Sequence, residues 1–267
     1  MLILLSPAKT LDYETPLPAG MSRRATEPVF IERAAELIET LRPLSPTEVA
    51  RLMDLSDTLA SLNAARYEAW SPRSTASNSR PALMAFNGDV YDGLQARSLE
   101  PDDLAWAQKH LVILSGLYGA LRPLDRLQPY RLEMGTRLAN PRGKDLYGFW
   151  GDAVAEHLNA RLREQSVTPR GSPPLIVNLA SQEYFKVADR PVLKARVVEC
   201  VFEDWKAGSY KIISFFAKRA RGLMARHALV SRATDVQGLL NFNLDGYAYA
   251  PAASEPDRLV FRRKQGS

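Results

Sequence analysis

The sequence predicts a mixed α/β domain with a largely buried central sheet, and three observations lead there. Short aliphatic or β-branched runs alternate with stretches of helical spacing along the chain, as they do in α/β architectures. Several runs are apolar at consecutive positions, which is the pattern of strands covered on both faces. No repeat of roughly 20 to 50 residues recurs, so solenoids and propellers are excluded. At 267 residues and 46% hydrophobic content, the chain can bury a sizeable core, and a single compact domain over residues 1–267 is expected.

Taken in order, Met1-Leu2-Ile3-Leu4-Leu5 breaks at Ser6-Pro7 and reads as a first strand. It is too short for a secretory leader and has no positive lead. Glu27 to Leu41 opens with acidic and proline start signals and then repeats apolar residues at helical spacing. Ser45 to Trp70 holds two helical patterns around the turn Ser56-Asp57-Thr58-Leu59-Ala60, and Ser45, Pro46 and Glu48 form a capping box with proline at the first helical position. Ser71–Ser79 and Ser166–Pro174 have loop composition. Ala82–Phe86, Leu111–Leu114, Leu175–Leu179, Ala195–Phe202, Tyr210–Phe215 and Leu259–Phe261 read as further strands, and Gly148–Leu162 and Phe216–His227 as helices. The basic tail Arg262–Ser267 is expected to fray.

Composition removes several classes of function. The single cysteine, Cys200, lies in the apolar run Val197–Phe202 and reads as a buried structural thiol, so no intrachain disulfide or cysteine zinc site forms. His110, His157 and His227 stand far apart with no carboxylate–histidine pair at zinc-ligand spacing. No metal and no cofactor is therefore expected. No run approaches the ~20 apolar residues of a spanning helix, and the expected location is the cytoplasm. Asp102-Asp103 and Glu203-Asp204 fall on expected surface turns, which gives little support to a catalytic carboxylate dyad.

Charge is distributed unevenly. The chain carries a net +5, yet between Lys206 and Arg232 seven cations stand without one acid. On a helical wheel Phe216, Ala220, Leu223, Met224 and His227 share one face while Lys218, Arg219, Arg221 and Arg226 take the opposite arc. Such a row suits phosphate backbone, because each neutralised phosphate releases condensed counterions without any base contact. A solvated basic face with no partner has the same pattern.

Three further stretches could hold an anion. Leu114-Ser115-Gly116-Leu117-Tyr118-Gly119, followed by Arg122 and Arg131, could expose backbone N–H groups; it could equally be a tight turn with arginines paired to Asp125 and Glu133. Ser6-Pro7-Ala8-Lys9-Thr10 follows the first strand, where α/β proteins often place ligand contacts, though it lacks the glycines of a P-loop. Asn87–Tyr91 and Asn178–Lys186 carry polar residues at strand ends, positions that serve ligands and helix caps alike.

Together, Leu2–Asp12, Gly88–Tyr91, Leu114–Gly119 with Leu121–Leu124, Tyr130–Gly135, Asn178–Ser181 and Ala217–Gly222 resemble the YaaA family of peroxide-stress-resistance proteins. The match runs from the first strand to the last helix. It implies a fold of unusual topology, a positively charged cleft, and a helix-hairpin-helix-like element, placed here at Ser45–Trp70. It also implies binding to duplex DNA and tolerance of hydrogen peroxide, by limiting the damage that intracellular iron does to DNA and proteins. The hairpin departs from the family pattern: it lacks Gly-hydrophobic-Gly, and Asp57 would repel a phosphate unless it caps the helix. The Gly116–Gly119 turn is a second candidate for backbone contact.

Two functional readings follow. In the first, the chain is a non-catalytic, monomeric binder of double-stranded or branched DNA, with Lys218, Arg219, Arg221 and Arg226 tracking phosphates and Lys9, Arg66, Arg122, Arg131, Lys186 and Lys211 lining a cleft. In the second, it is an enzyme acting on a small phosphorylated or nucleotide-like substrate, with Lys9, Arg122 and Arg131 as anion holders and Asp89, Tyr91 or Glu183 as acid/base groups. An open basic groove favours the first and a concave, partly dry pocket the second.

Overall fold

The computed structural model describes residues 1–165 and 174–264. Its main sheet contains β1 (Leu2–Leu5), β2 (Leu111–Ser115), β3 (Gly119–Leu121), β4 (Leu175–Leu179), β5 (Arg196–Lys206), β6 (Ser209–Lys211), β7 (Ala248–Tyr249) and β8 (Arg258–Arg263). The strand order is β7-β8-β5-β4-β1-β2-β3, with β6 paired to β5. Strands β8, β5, β4, β1 and β2 run parallel, while β3, β6 and β7 are antiparallel additions. All four side chains of β1 are buried, and β2 is buried throughout. That burial is why these strands read as unbroken apolar runs.

From β1 the chain passes outward to β2 on one side and later returns to β4 on the other, with Ile3 opposite both Leu111 and Val177. This reversal opens a crevice at the carboxyl ends of β1 and β4, the place where open α/β sheets bind ligands. Helices α1 (Ile31–Leu41), α2 (Pro46–Met53), α3 (Asp57–Ala69), α4 (Asp89–Leu94), α5 (Pro101–His110), α6 (Leu146–Trp150), α7 (Ala153–Glu164) and α8 (Ser214–Val230) surround the sheet. In α1 the buried residues Ala34, Leu37, Ile38 and Leu41 make the apolar stripe that docks it. The capping box of α2 forms as its sequence predicts: Glu48 N donates to Ser45 Oγ at 3.3 Å and Ser45 N donates to Glu48 Oε2 at 2.7 Å.

Several boundaries differ from the sequence expectation, each for a local reason. Ala82–Ala85 is a helical turn, because Ala82 N and Leu83 N donate to the carbonyls of Asp125 and Pro123 instead of to a sheet. Only Phe86–Asn87 is extended, paired with Thr10–Leu11. The helix expected from Glu27 starts at Ile31, since Thr26 N is drawn to the Leu124 carbonyl. The helix expected over 148–162 is two helices separated at Gly151, whose φ of 50° breaks the first. The hairpin turn falls at Asp54, in the left-handed region at φ 52°, so Asp57 and Thr58 lie inside α3. Strand β6 ends at Lys211 and α8 has begun by Ser214. Arg262 and Arg263 belong to β8 instead of a frayed tail, and Arg263 is buried on Asp204 at 2.6 Å. Residues 166–173 of the expected loop and 265–267 of the tail lie outside the described residues.

The tightest contact in the fold is the crossing of α4 and α8. A Cβ on Gly222 would lie 1.8 Å from the Val90 carbonyl oxygen, and one on Gly93 would lie 2.2 Å from that of Arg219. Two glycines therefore let backbone touch backbone. Gly222→Ala is expected to cost at least the upper part of the about 1–3 kcal/mol typical of overpacking, seen as a lowered urea midpoint.

A second test concerns acid stability. Burial, aided by the charges of Arg161 and Arg122, holds the His157 imidazole down to about 4, where it packs edge-on against Phe30. The unfolded chain takes up a proton that the fold refuses, so this stability is complete above the ordinary histidine range and is lost as pH falls toward 4. His157→Phe is expected to reduce the loss of stability between pH 7 and pH 5 by about 2 kcal/mol, measured by urea titration at each pH.

Candidate functional site

Adjacent parallel strands bring distant motifs together at the switch-point crevice. Ser6 leaves β1 and Ser181 leaves β4, and Ser181 N donates to Ser6 Oγ at 2.8 Å. The pairing of Thr10 with Asn87 sets Asn87–Asp89 beside Lys9, and the Tyr91 hydroxyl on α4 donates to the Ser6 carbonyl at 3.0 Å. The loop Tyr130–Gly135 forms the facing wall. It is tied down twice: Gly135 N donates to Glu183 Oε1 at 2.9 Å, and Tyr67 of α3 donates to the Arg131 carbonyl. The crossing of α4 and α8 places Lys218 and Arg221 on the remaining side. These elements enclose about 450 Å³, a volume typical of small-ligand sites.

The charges in this crevice are unequally satisfied. Glu133 serves two cations, with Lys9 Nζ at 2.7 Å and Arg131 Nη2 at 3.0 Å. The buried Nε of Arg131 has no hydrogen-bond partner among the described residues. Arg221 makes no hydrogen bond or ion pair among them either; burial lowers its pKa, opposed by the charge of Glu199. A half-buried guanidinium that no protein anion meets is well suited to pair with an anion from outside. Lys218 is exposed and also lacks an ion pair among the described residues. Burial raises the phenols of Tyr91, Tyr130 and Tyr184 far above their usual range, so they remain protonated walls and donors.

Of the ten cations singled out from sequence, Lys9, Arg131, Lys218 and Arg221 line this crevice. The others have different surroundings. Arg122 pairs with Asp125 at 2.9 Å and donates to the Glu27 carbonyl. Arg66 donates to Asn63 Oδ1 on its own helix, and Lys186 lies over the Tyr147 ring at 4.6 Å. Lys211 is exposed on β6. Arg219 pairs with Asp245 at 3.1 Å, while Arg226 donates to the carbonyls of Leu94 and Gln95, closing the end of α4. The wheel of α8 therefore needs correction: Gly222 and Ala225 are buried along with Leu223 and Met224, because α4 covers an arc that a lone helix would leave to solvent.

The Leu114–Gly119 turn is core. Ser115, Leu117 and Tyr118 are fully buried, and its glycines admit the Leu132 carbonyl and the Trp150 ring, not an anion. Ser181 caps the turn of helix at Gln182–Phe185 and also meets Ser6, so the cap and ligand readings coincide in one residue. Glu133, the shared carboxylate, was not among the predicted ligand contacts; its place between Arg131 and a turn glycine was the available signal. Among the described residues no group of three His, Cys, Asp or Glu is placed to hold a metal ion. Burial pushes the Cys200 thiol up to about 12, and no described helix is long and apolar enough to cross a membrane.

Fold and site thus define an α/β protein with a cation-lined crevice at its topological switch point. The profile of the family described as "Peroxide stress protein YaaA" matches residues 1–253. The chain is 67% identical to a UPF0246 protein of Leptothrix cholodnii over 98% of both chains. It is 64% identical to UPF0246 proteins of Verminephrobacter eiseniae, over 99% of this chain and 98% of that one, and of Paracidovorax citrulli, over 99% of both. The chain belongs to the peroxide stress protein YaaA family.

Replacing the unpartnered guanidinium provides a test of the site. Arg221→Met is expected to raise stability by about 0.5–2 kcal/mol, as replacing a half-buried, unpaired charge by an apolar side chain can do. Inorganic phosphate is expected to raise the Tm of the parent protein and to leave that of the variant unchanged.

Proposed function

We propose that the chain is a cytoplasmic DNA-binding protein of the peroxide-stress response, monomeric, that fixes backbone phosphate of double-stranded or branched DNA in this crevice and so limits iron-dependent oxidative damage. The observation that carries the reading is Arg221: a half-buried guanidinium with no hydrogen bond or ion pair among the described residues, lining the same crevice as Lys218, Lys9 and Arg131. Phosphate oxygens supply the missing negative charge through charge-assisted hydrogen bonds. The α2–α3 hairpin supports this wall through Tyr67. Ser56 makes no side-chain cap bond, so the first-turn N–H groups of α3 offer a second phosphate contact, with Asp57 beside them as the opposing charge.

A second reading, an enzyme acting on a small phosphorylated or nucleotide-like substrate, draws on the enclosure of the same crevice and on Asp89, a carboxylate at its rim with no hydrogen bond or ion pair among the described residues. Salt-titrated binding to duplex, branched and single-stranded DNA separates the two. Under the DNA reading, log affinity falls linearly with log salt, and Lys218→Ala and Arg221→Ala each reduce the slope by about one. Salt-independent binding, or a slope unchanged in both variants, would falsify it. Displacement of DNA by a free mononucleotide at low concentration would favour the second reading.

A further inference from the structure

Where β5 and β6 meet the amino end of α8, aromatic and aliphatic side chains stand in solvent. Trp205, Ile212 and Phe215 are 41%, 57% and 58% exposed. The hairpin turns through Ala207 and Gly208, at φ 52° and 84°, so Trp205 and Tyr210 face each other with ring centroids 4.9 Å apart. Ile212 and Phe215 follow as the chain enters α8. Lys264 belongs to both clusters: its Nζ lies 5.3 Å from the Trp205 ring centroid, and it shares with Phe215, Phe216 and Arg219 a groove of about 700 Å³.

The charge here is unbalanced. Each nearby carboxylate is already held by an arginine, Glu203 by Arg262 at 2.8 Å, Asp204 by Arg263 at 2.6 Å and Asp245 by Arg219 at 3.1 Å. Lys206, Lys211 and Lys264 have no ion pair among the described residues, and the first turn of α8 contains no acid to offset its dipole.

We propose that this surface is a stacking platform for single-stranded nucleic acid. Unpaired bases present a π-face to each ring while their phosphates meet the lysines; bases in a duplex are already stacked and have no free face. A second copy of the chain is disfavoured, because a two-fold contact would set the same unpaired lysines against themselves. The platform is continuous with the crevice. Phe215 and Lys218 are three residues apart on α8, so they are neighbours on its surface, and a strand leaving the crevice along α8 meets the Phe215 ring within one turn, with Trp205 beyond it across Lys264. The proposal rests on the nucleic-acid reading but places the ligand's bases on residues outside the crevice.

The test uses labelled oligo(dT) and a duplex of equal length, with Trp205→Ala, Phe215→Ala and Trp205→Phe in the full chain. Each alanine variant is expected to weaken oligo(dT) binding at least about fivefold with Tm and duplex affinity unchanged. Trp205→Phe should keep most of the affinity while losing the tryptophan quenching that oligo(dT) causes in the parent, and it remains informative if the alanine variant fails to fold. If the parent binds duplex and oligo(dT) but the variants bind oligo(dT) equally well, the platform is overturned and DNA binding stands. If the parent binds no DNA at low salt, both fail. Binding to phosphatidylserine vesicles that depends on the same side chains, with oligo(dT) unaffected, also overturns it.

Discussion

Everything in this fold depends on the complete burial of β1. A strand with four covered side chains needs layers on both faces and a partner on each edge. The chain meets that need by crossing to β2 on one side and returning to β4 on the other. The reversal that completes the core is also what leaves the carboxyl ends of β1 and β4 uncovered, so core formation and site formation are one event. Ser6 and Ser181 meet because their strands are neighbours, and the crevice exists because no connection covers them.

Around this crevice, charges are unequally paired. The α4–α8 crossing brings backbone against backbone through Gly93 and Gly222, and that closeness carries Arg221 into a half-buried position with no ion pair among the described residues. On the opposite wall Glu133 divides its charge between Lys9 and Arg131. One wall shares a single acid between two cations; on the other, Lys218 and Arg221 have no ion pair among the described residues.

Helix α8 connects this region to the aromatic surface near β6. Its first turns carry exposed Phe215, its middle carries Lys218 and Arg221, and its remaining length is packed under neighbouring elements. A single rigid helix thus fixes the spacing between the Phe215 ring and the cations of the crevice, which loops could not do as well.

The α/β class, most strands, the α2 capping box and the structural role of Cys200 were legible in the sequence, because apolar periodicity and capping chemistry act over a few residues. The three motifs Ser6–Thr10, Asn87–Tyr91 and Asn178–Lys186 were recognisable as strand-end polar segments, yet their meeting is decided by strand order, which no local pattern encodes. Cations were legible as charges and not as partners: Arg122, Arg219 and Arg226 are claimed by Asp125, Asp245 and the end of α4, whereas Arg221 has no hydrogen bond or ion pair among the described residues. Sequence determined which residues could carry charge and which had to be buried. Only tertiary structure decided which charges were neutralised, because electrostatic pairing depends on distance in space and the chain's turns set that distance.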